Sequence, residues 1–408
     1  MQTTSFPKSE IQILLLENVH PVAEEAFAAE GFQVQTVKGA ISEAELVKRI
    51  RDVHVLGIRS KTRVTPAVID EARRLLAVGA FCIGTNQVAL AHANKKGVPV
   101  FNAPFSNTRS VAELILAEIV MLSRHLGDRS REVHEGRWRK VAVGSHEVRG
   151  KTIGIIGYGH IGSQIGVLAE AFGMRVLFYD IMAKLPMGNN HSVGKLTDLL
   201  EQSDFVTLHV PETPQTKEMI GAAELAHMKR GACLLNASRG TVVVIEALAD
   251  ALRNGHIGGA AVDVYPDEPE SNSDGFASPL CGLANVILTP HIGGSTEEAQ
   301  EAIGREVSAA LLKLINAGST TGAVNFPQIE IPATKDTHRI LNVHRNVPGV
   351  LRDINKIVSD RNANIRAQVL STDPEIGYLM MDLDQGVSND VKREIAGLST
   401  SIKTRILY

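Results

Sequence analysis

The stretch KTIGIIGYGHIGSQIGVLAEAFG, residues 151–173, constrains the fold of this chain more than any other. An apolar run leads straight into Gly157, Gly159 and Gly162, and the glycines open a segment with helical character. G-x-G-x-x-G alone is weak information. Between a strand and a helix, each glycine acquires a steric task. Gly157 permits the tight turn, Gly159 lets the backbone approach a pyrophosphate, and Gly162 lets the helix pack closely on the strand. The helix then presents free N–H groups to phosphate oxygens. The following strand, MRVLFYD, ends in Asp180. A carboxylate about 20 residues beyond the glycines accepts hydrogen bonds from a ribose diol and repels a 2′-phosphate, so NAD is expected rather than NADP.

The same strand–helix alternation extends on both sides. IQILLLE, FQVQTV and VHVLGIRS read as strands, separated by helical HPVAEEAFAAEG and SEAELVKRIR, the latter capped by Ser42. That order implies a parallel sheet covered on both faces. NTRSVAELILAEIVMLSRHL and STEEAQEAIGREVSAALLKLINAG read as long helices that enter and leave an inserted domain. NFPQIEIPATKDTH, polar and proline-bearing, reads as a linker. The tail then runs strand, helix, strand, strand, helix, strand, a βαββαβ order. The expected architecture is α/β: a Rossmann-type domain (105–295) inserted in a flavodoxin-like substrate domain (1–104 and 296–330), followed by a ferredoxin-like module (338–408).

Bulk properties remove several function classes. With 408 residues, a formal net charge of −3 and no like-charge block, the chain does not suggest a nucleic-acid partner. Three widely spaced cysteines suggest neither a disulfide framework nor a metal site. The N-terminus lacks a signal-peptide pattern and no apolar run reaches membrane-span length, so a cytoplasmic protein with no membrane association is expected.

Three further strands end in polar loops: LLNASRG with Ser238 and Arg239, GAAVDVYPDEP with Asp263, Asp267 and Glu268, and VILTPHIGG with His291. Ligands of doubly wound sheets lie beyond the carboxyl ends of the strands, so these loops are expected to converge. Removing a hydride from an alcohol carbon requires a base for the hydroxyl proton, which suits His291 near neutral pH. Glu268 would orient its imidazole, and Arg239 would hold a substrate carboxylate bidentately. Pro290 would stiffen the strand end, while Gly293 and Gly294 would let the backbone pass close to the cofactor. A phosphorylated substrate would call for several cations. Candidates are Arg59 and Ser60 in GIRSKT, Asn107 and Arg109 in PFSNTRS, and Arg137, Arg139 and Lys140 in GRWRKV.

GYGHIG, LHVPETPQTK, NASRGTVV, AVDVYPDEP and LTPHIGGST together resemble the D-isomer-specific 2-hydroxyacid dehydrogenases. The C-terminal module narrows the resemblance to three-domain members that oxidise 3-phosphoglycerate and end in an ACT domain. It implies Arg239, Glu268 and His291 as the catalytic set. It implies a cofactor site of Gly157, Gly159, His160, Ile161, Gly162, Asp180, His209, Val210, Pro211, Ala237, Ser238, Arg239, Asp263, His291, Gly293 and Gly294. Arg59, Ser60, Asn107, Arg139 and Lys140 would meet the substrate, the last two in a neighbouring subunit's cleft. His344, Asn346 and Asn364 would bind the effector L-serine between paired ACT domains of a homotetramer. The linker carries no glycine, unlike some relatives, which implies weaker coupling of serine to catalysis. A reductase for another 2-keto acid (2-oxoglutarate, hydroxypyruvate or glyoxylate) and an NAD-sensing corepressor are the alternatives, the latter disfavoured by the ACT-like tail.

Overall fold

A computed structural model describes residues 5–269 and 274–408. The chain divides into two compact units, residues 1–106 with 300–408, and residues 107–299.

The first unit holds two sheets. Strands β1 (Gln12–Leu15), β2 (Gln33–Thr36), β3 (Val55–Ile58), β4 (Ala77–Ala80) and β5 (Val100–Asn102) pair in parallel in the order β2-β1-β3-β4-β5. Both faces are covered, which is why β3 and β4 are buried at every position. Helix starts are locally encoded: Ser42 Oγ accepts from the Glu45 amide at 3.3 Å, and Pro21 occupies the first turn of Pro21–Ala29.

The second unit holds β6 (Thr152–Ile156), β7 (Arg175–Tyr179), β8 (His191–Ser192), β9 (Phe205–Leu208), β10 (Cys233–Asn236), β11 (Gly259–Val262) and β12 (Val286–Leu288). All pair in parallel, in the order β12-β11-β10-β9-β6-β7-β8, and the order reverses at β6. In such sheets ligands bind beside that reversal. The entering helix is shorter than its apolar pattern suggests. It spans Thr108–Ser123, then His125 turns left-handed at φ 52° and a separate helix runs Leu126–His134. The His125 ring nitrogen lies 3.0 Å from the Gly144 carbonyl, which holds the break.

The C-terminal strands are β13 (Thr337–Arg345), β14 (Ile365–Thr372), β15 (Ile376–Asp384) and β16 (Ser401–Leu407). They form an antiparallel sheet ordered β14-β15-β13-β16. One face carries the helices Val350–Asp360 and Ser388–Ala396 over Ile340, Leu379, Met381 and Leu383. Leu341, Val343, Tyr378 and Met380 on the other face share a core with Val307, Leu311, Leu314 and Ile315 of the Glu297–Ala317 helix. Arg339 ties the edge of this core, pairing with Asp382 at 2.6 and 2.8 Å and donating to the carbonyls of Ala317, Ile331 and Pro332. The segment before β13 has no regular structure, yet it is not a loose tether. Phe326 and Ile329 are buried, and the Asn325 side chain bonds Val100, Leu90 and Val98.

Candidate active site

The glycine turn after β6 is built as its spacing demands. Gly157 has φ +91°, and a β-carbon there would collide with the carbonyl of His209. One at Gly162 would collide with the Gly157 carbonyl and press on Ile155. Gly159 differs: a β-carbon there would meet no protein atom within 4 Å. The protein does not need glycine at that position for packing, whereas a pyrophosphate at the start of the His160–Ala171 helix does. Asp180 follows β7. Its Oδ2 accepts from the Tyr158 amide at 2.9 Å and its Oδ1 from the Met182 amide at 2.9 Å, which orients the carboxylate beside the turn. Each oxygen keeps a lone pair for a ribose hydroxyl. His209 follows β9, where burial holds its imidazole down to about 3, so it is neutral. Its Nε2 lies 2.8 Å from Thr207 Oγ1. Val210 is half-buried beside it, and the Pro211 carbonyl accepts from Thr216 Oγ1 at 2.6 Å. These residues fit a dinucleotide.

The loops after β10, β11 and β12 do converge. His291 Nδ1 lies 2.8 and 3.0 Å from the two Glu268 oxygens, and its Nε2 has no partner among the described residues. The hydrogen bond to Glu268 raises the imidazole above its ordinary value, against the opposing effects of burial and of Arg239. Burial pushes Glu268 up, but His291, the Tyr265 amide and Arg239 outweigh it and leave the carboxyl lowered. The Tyr265 amide donates to Glu268 Oε1 at 3.1 Å. Arg239 spends one Nη1 bond on the Ser238 carbonyl, at 2.6 Å. The arrangement can take a proton at His291 Nε2 and hold the resulting imidazolium against Glu268.

Several of the residues that set this geometry carry no obvious chemical signature. Asn236 shapes the Arg239 turn: its Nδ2 donates to the Arg239 carbonyl at 3.0 Å, and its Oδ1 accepts from the Ser238 amide and hydroxyl at 3.1 and 2.8 Å. An asparagine at a strand end followed by a small residue is the available signal. Gly240 lets the turn touch the chain at Tyr265 and Pro266, where a β-carbon would not fit. Asp263, buried, accepts from the Thr289 hydroxyl (2.6 Å) and the amides of Ile292 and Gly293 (both 2.8 Å). It therefore staples the histidine loop, in which His291 itself is left-handed at φ 55°. Gly294 is small because the Asn107 side chain packs on it. Glu118, in the Thr108–Ser123 helix, is buried; burial, with the Asp263 charge, pushes its carboxyl up to about 8.

The other candidate residues lie as follows. Arg59 and Ser60 follow β3 in the first unit. Asn107 precedes the Thr108–Ser123 helix, and Arg109 pairs with Glu113 at 2.6 Å. Arg139 approaches Glu132 at 3.6 Å, Lys140 is exposed, and Trp138, between Arg137 and Arg139, is 83% exposed. His344 is buried near the end of β13; its Nδ1 lies 3.0 Å from the Arg345 carbonyl, and its Nε2 has no partner among the described residues. Asn346, beside it, donates to the Asp373 carbonyl at 2.7 Å. Asn364 immediately precedes β14. The register pairs His344 with Gly377 but Ile365 with Leu383, so Asn364 lies at the opposite end of the sheet, roughly 20 Å away at about 3.3 Å per residue. One chain does not bring the three together. Among the described residues no His, Cys, Asp or Glu cluster could hold a metal, and no helix is long and apolar enough to cross a membrane.

Residues 116–293 match the D-isomer specific 2-hydroxyacid dehydrogenase NAD binding domain, and residues 340–403 match an AHAS small subunit-like ACT domain. Among solved structures, D-lactate dehydrogenase from Aquifex aeolicus, complexed with NAD and lactic acid, is similar with a TM-score of 0.65 and 27% identity. That likeness covers 74% of this chain and 95% of the other. The chain belongs to the D-isomer-specific 2-hydroxyacid dehydrogenase family, and it is an NAD-dependent oxidoreductase. Its full-length relatives are more particular. D-3-phosphoglycerate dehydrogenase of Dictyostelium discoideum is 58% identical over 100% of this chain and 99% of its own. The Escherichia coli enzyme of the same name is 51% identical over the whole of both chains.

Proposed function

We propose that the chain oxidises D-3-phosphoglycerate to 3-phosphohydroxypyruvate, the first step of serine synthesis, and that L-serine inhibits it. The observation that carries this is the Arg239–Glu268–His291 arrangement in a chain whose relatives are D-3-phosphoglycerate dehydrogenases from end to end. Bound NAD supplies the hydride acceptor. Gly157, Gly159 and Gly162 cradle its pyrophosphate, Asp180 takes the ribose hydroxyls, and the segments at 209–211 and 237–239 line it. Arg239 holds the substrate carboxylate with the donors Ser238 leaves free. His291 Nε2 accepts the hydroxyl proton as the carbonyl forms, and Glu268 stabilises the charge that appears on the ring. Arg59 and Ser60 take the phosphate end, with Asn107, Arg139 and Lys140 as further contacts.

The ACT module, 338–408, is the effector domain, separate in role from the substrate residues 1–104 and 296–330 and the cofactor residues 105–295. The separation of Asn364 from His344 and Asn346 favours serine bound between two modules, each giving one end of its sheet, in a cytoplasmic homotetramer. The experiment is NADH formation from D-3-phosphoglycerate, set against unphosphorylated 2-hydroxy acids and against reduction of 2-oxoglutarate, with and without L-serine. Preference for an unphosphorylated substrate would overturn the substrate assignment. Indifference to serine, with no serine binding by calorimetry, would overturn the effector assignment.

A further inference from the structure

The loop after β3 carries Arg59 and Ser60, and its backbone is held from outside. The amides of Arg59 and Thr62 donate to Glu17 Oε1 at 3.2 and 2.7 Å, and the amide of Lys61 donates to Glu17 Oε2 at 2.9 Å. Glu17 is 7% exposed, and among the described residues its carboxylate forms no ion pair. A buried carboxylate without a cation requires such amide donors, so the loop and the acid stabilise each other. On the other side, Gln87 Nε2 donates to the Arg59 carbonyl at 2.7 Å and to the Gly84 carbonyl at 3.1 Å. Both backbone polar groups of Arg59 are thus tied by buried side chains from the segments that follow β1 and β4.

Glu17 itself follows β1 in a left-handed conformation, φ 63°, as does Asn18 at φ 54°. Two consecutive non-glycine residues of that kind are uncommon, and such strain concentrates where a side chain must be aimed. The Glu17 amide is anchored on the Gly39 carbonyl at 3.2 Å, which holds the strained turn in place. The charge of Glu17 is spent on amides rather than on the loop's own cations. Arg59, Lys61 and Arg63 form no ion pair among the described residues and remain available to an anion.

We propose that Glu17 is a positioning residue for phosphate recognition. It fixes the backbone from Arg59 to Thr62 so that the Arg59 guanidinium meets the substrate phosphate in one geometry, and Gln87 fixes Arg59 from its carbonyl side. Glu17 touches no substrate atom and acts through Arg59. This deepens the assignment of Arg59 to the phosphate and rests on it.

The test uses the full-length protein with Arg59→Ala, Glu17→Gln, Gln87→Met and the double variant Glu17→Gln/Arg59→Ala. Each is assayed with D-3-phosphoglycerate and with D-glycerate, its unphosphorylated counterpart, and for NADH affinity. Small misplacements of a binding group cost about tenfold or more, so Glu17→Gln raises KM for the phosphorylated substrate about that much. Its kcat, its kcat/KM for D-glycerate and its NADH affinity stay near wild type. The double variant is no worse than Arg59→Ala, because the two residues act as one unit. Equal effects of Arg59→Ala on both substrates would overturn the assignment of Arg59. A selective effect of Arg59→Ala without one from Glu17→Gln, or a double variant whose losses add, would overturn the role of Glu17 alone. If Glu17→Gln does not fold, Gln87→Met decides: a selective rise in KM supports the positioning account, and its absence refutes it.

Discussion

Glu268→Gln removes one charge and little else from the active site. The amide oxygen can still accept from the Tyr265 amide or from His291 Nδ1, so the shape of the loop survives. What is lost is the charge-assisted bond to the imidazolium that forms as the substrate hydroxyl gives up its proton. Such bonds contribute about 1.5–3 kcal/mol against about 1 for a neutral pair, a difference of about 0.5–2 kcal/mol. The His291 side chain is 52% exposed, so screening favours the lower end of that range. At about 1.4 kcal/mol per factor of ten, a loss of about 0.5–1 kcal/mol lowers kcat for oxidation about two- to fivefold. The pH profile moves as well. Glu268 is the chief cause of the raised imidazole, while burial and Arg239 oppose it. Without the carboxylate those opposing effects prevail and the ring titrates lower. Oxidation requires neutral His291, so the acid limb of kcat/KM moves to lower pH even as the plateau drops. Steady-state NADH formation across pH, for both proteins, measures this. An acid limb that stays in place, or moves to higher pH, would refute the coupling of Glu268 to His291.

Asp180→Ala weakens NAD use and narrows the preference over NADP; an unchanged ratio of kcat/KM for the two cofactors would remove Asp180 from the ribose site. Gly159→Ala leaves thermal stability near wild type but weakens NADH binding, whereas Gly157→Ala lowers both, because only the second meets the protein; calorimetry and melting curves separate them. Glu118 binds its proton more tightly when folded, so the stability it confers is whole below its ordinary value of 4.5 and is lost as pH rises to about 8. Glu118→Gln abolishes that decline in urea unfolding, and parallel curves for the two proteins would contradict it. His344→Ala abolishes serine inhibition with basal turnover intact, while deletion of residues after Gln328 also exposes Leu314 and Ile315 and lowers stability; full inhibition of His344→Ala would move the serine site.

The fold was legible where the chain obeys local rules. Apolar runs bounded by helix caps such as Ser42 predict the strands, and the glycine spacing at 157–162 predicts the dinucleotide turn. The proposed catalytic residues Arg239, Glu268 and His291 are legible because each stands in a loop that follows a strand of a parallel sheet. Their supports are not. Asn236, Gly240 and Asp263 act by holding backbone, and no pattern in one sequence says which amides a buried carboxylate will find. The extra face of the C-terminal sheet was available to be read: IGYLMMDLD is apolar without alternation, so β15 must be covered on both sides. The broken helix at His125 was not, because its apolar period continues to Ser123 and a single left-handed residue ends it. The separation of Asn364 from His344 follows only from strand register, which residue chemistry alone does not set.

In the proposed reaction His291 Nε2 takes the proton while NAD takes the hydride. NADH formation from D-3-phosphoglycerate by the full-length protein and by His291→Asn, with NADH affinity measured for both, tests it most directly. The wild type forms NADH robustly, and the variant has a kcat lowered about 100- to 10,000-fold with NADH still bound. Near-normal turnover by His291→Asn, or no NADH from the wild type with this substrate, would contradict it.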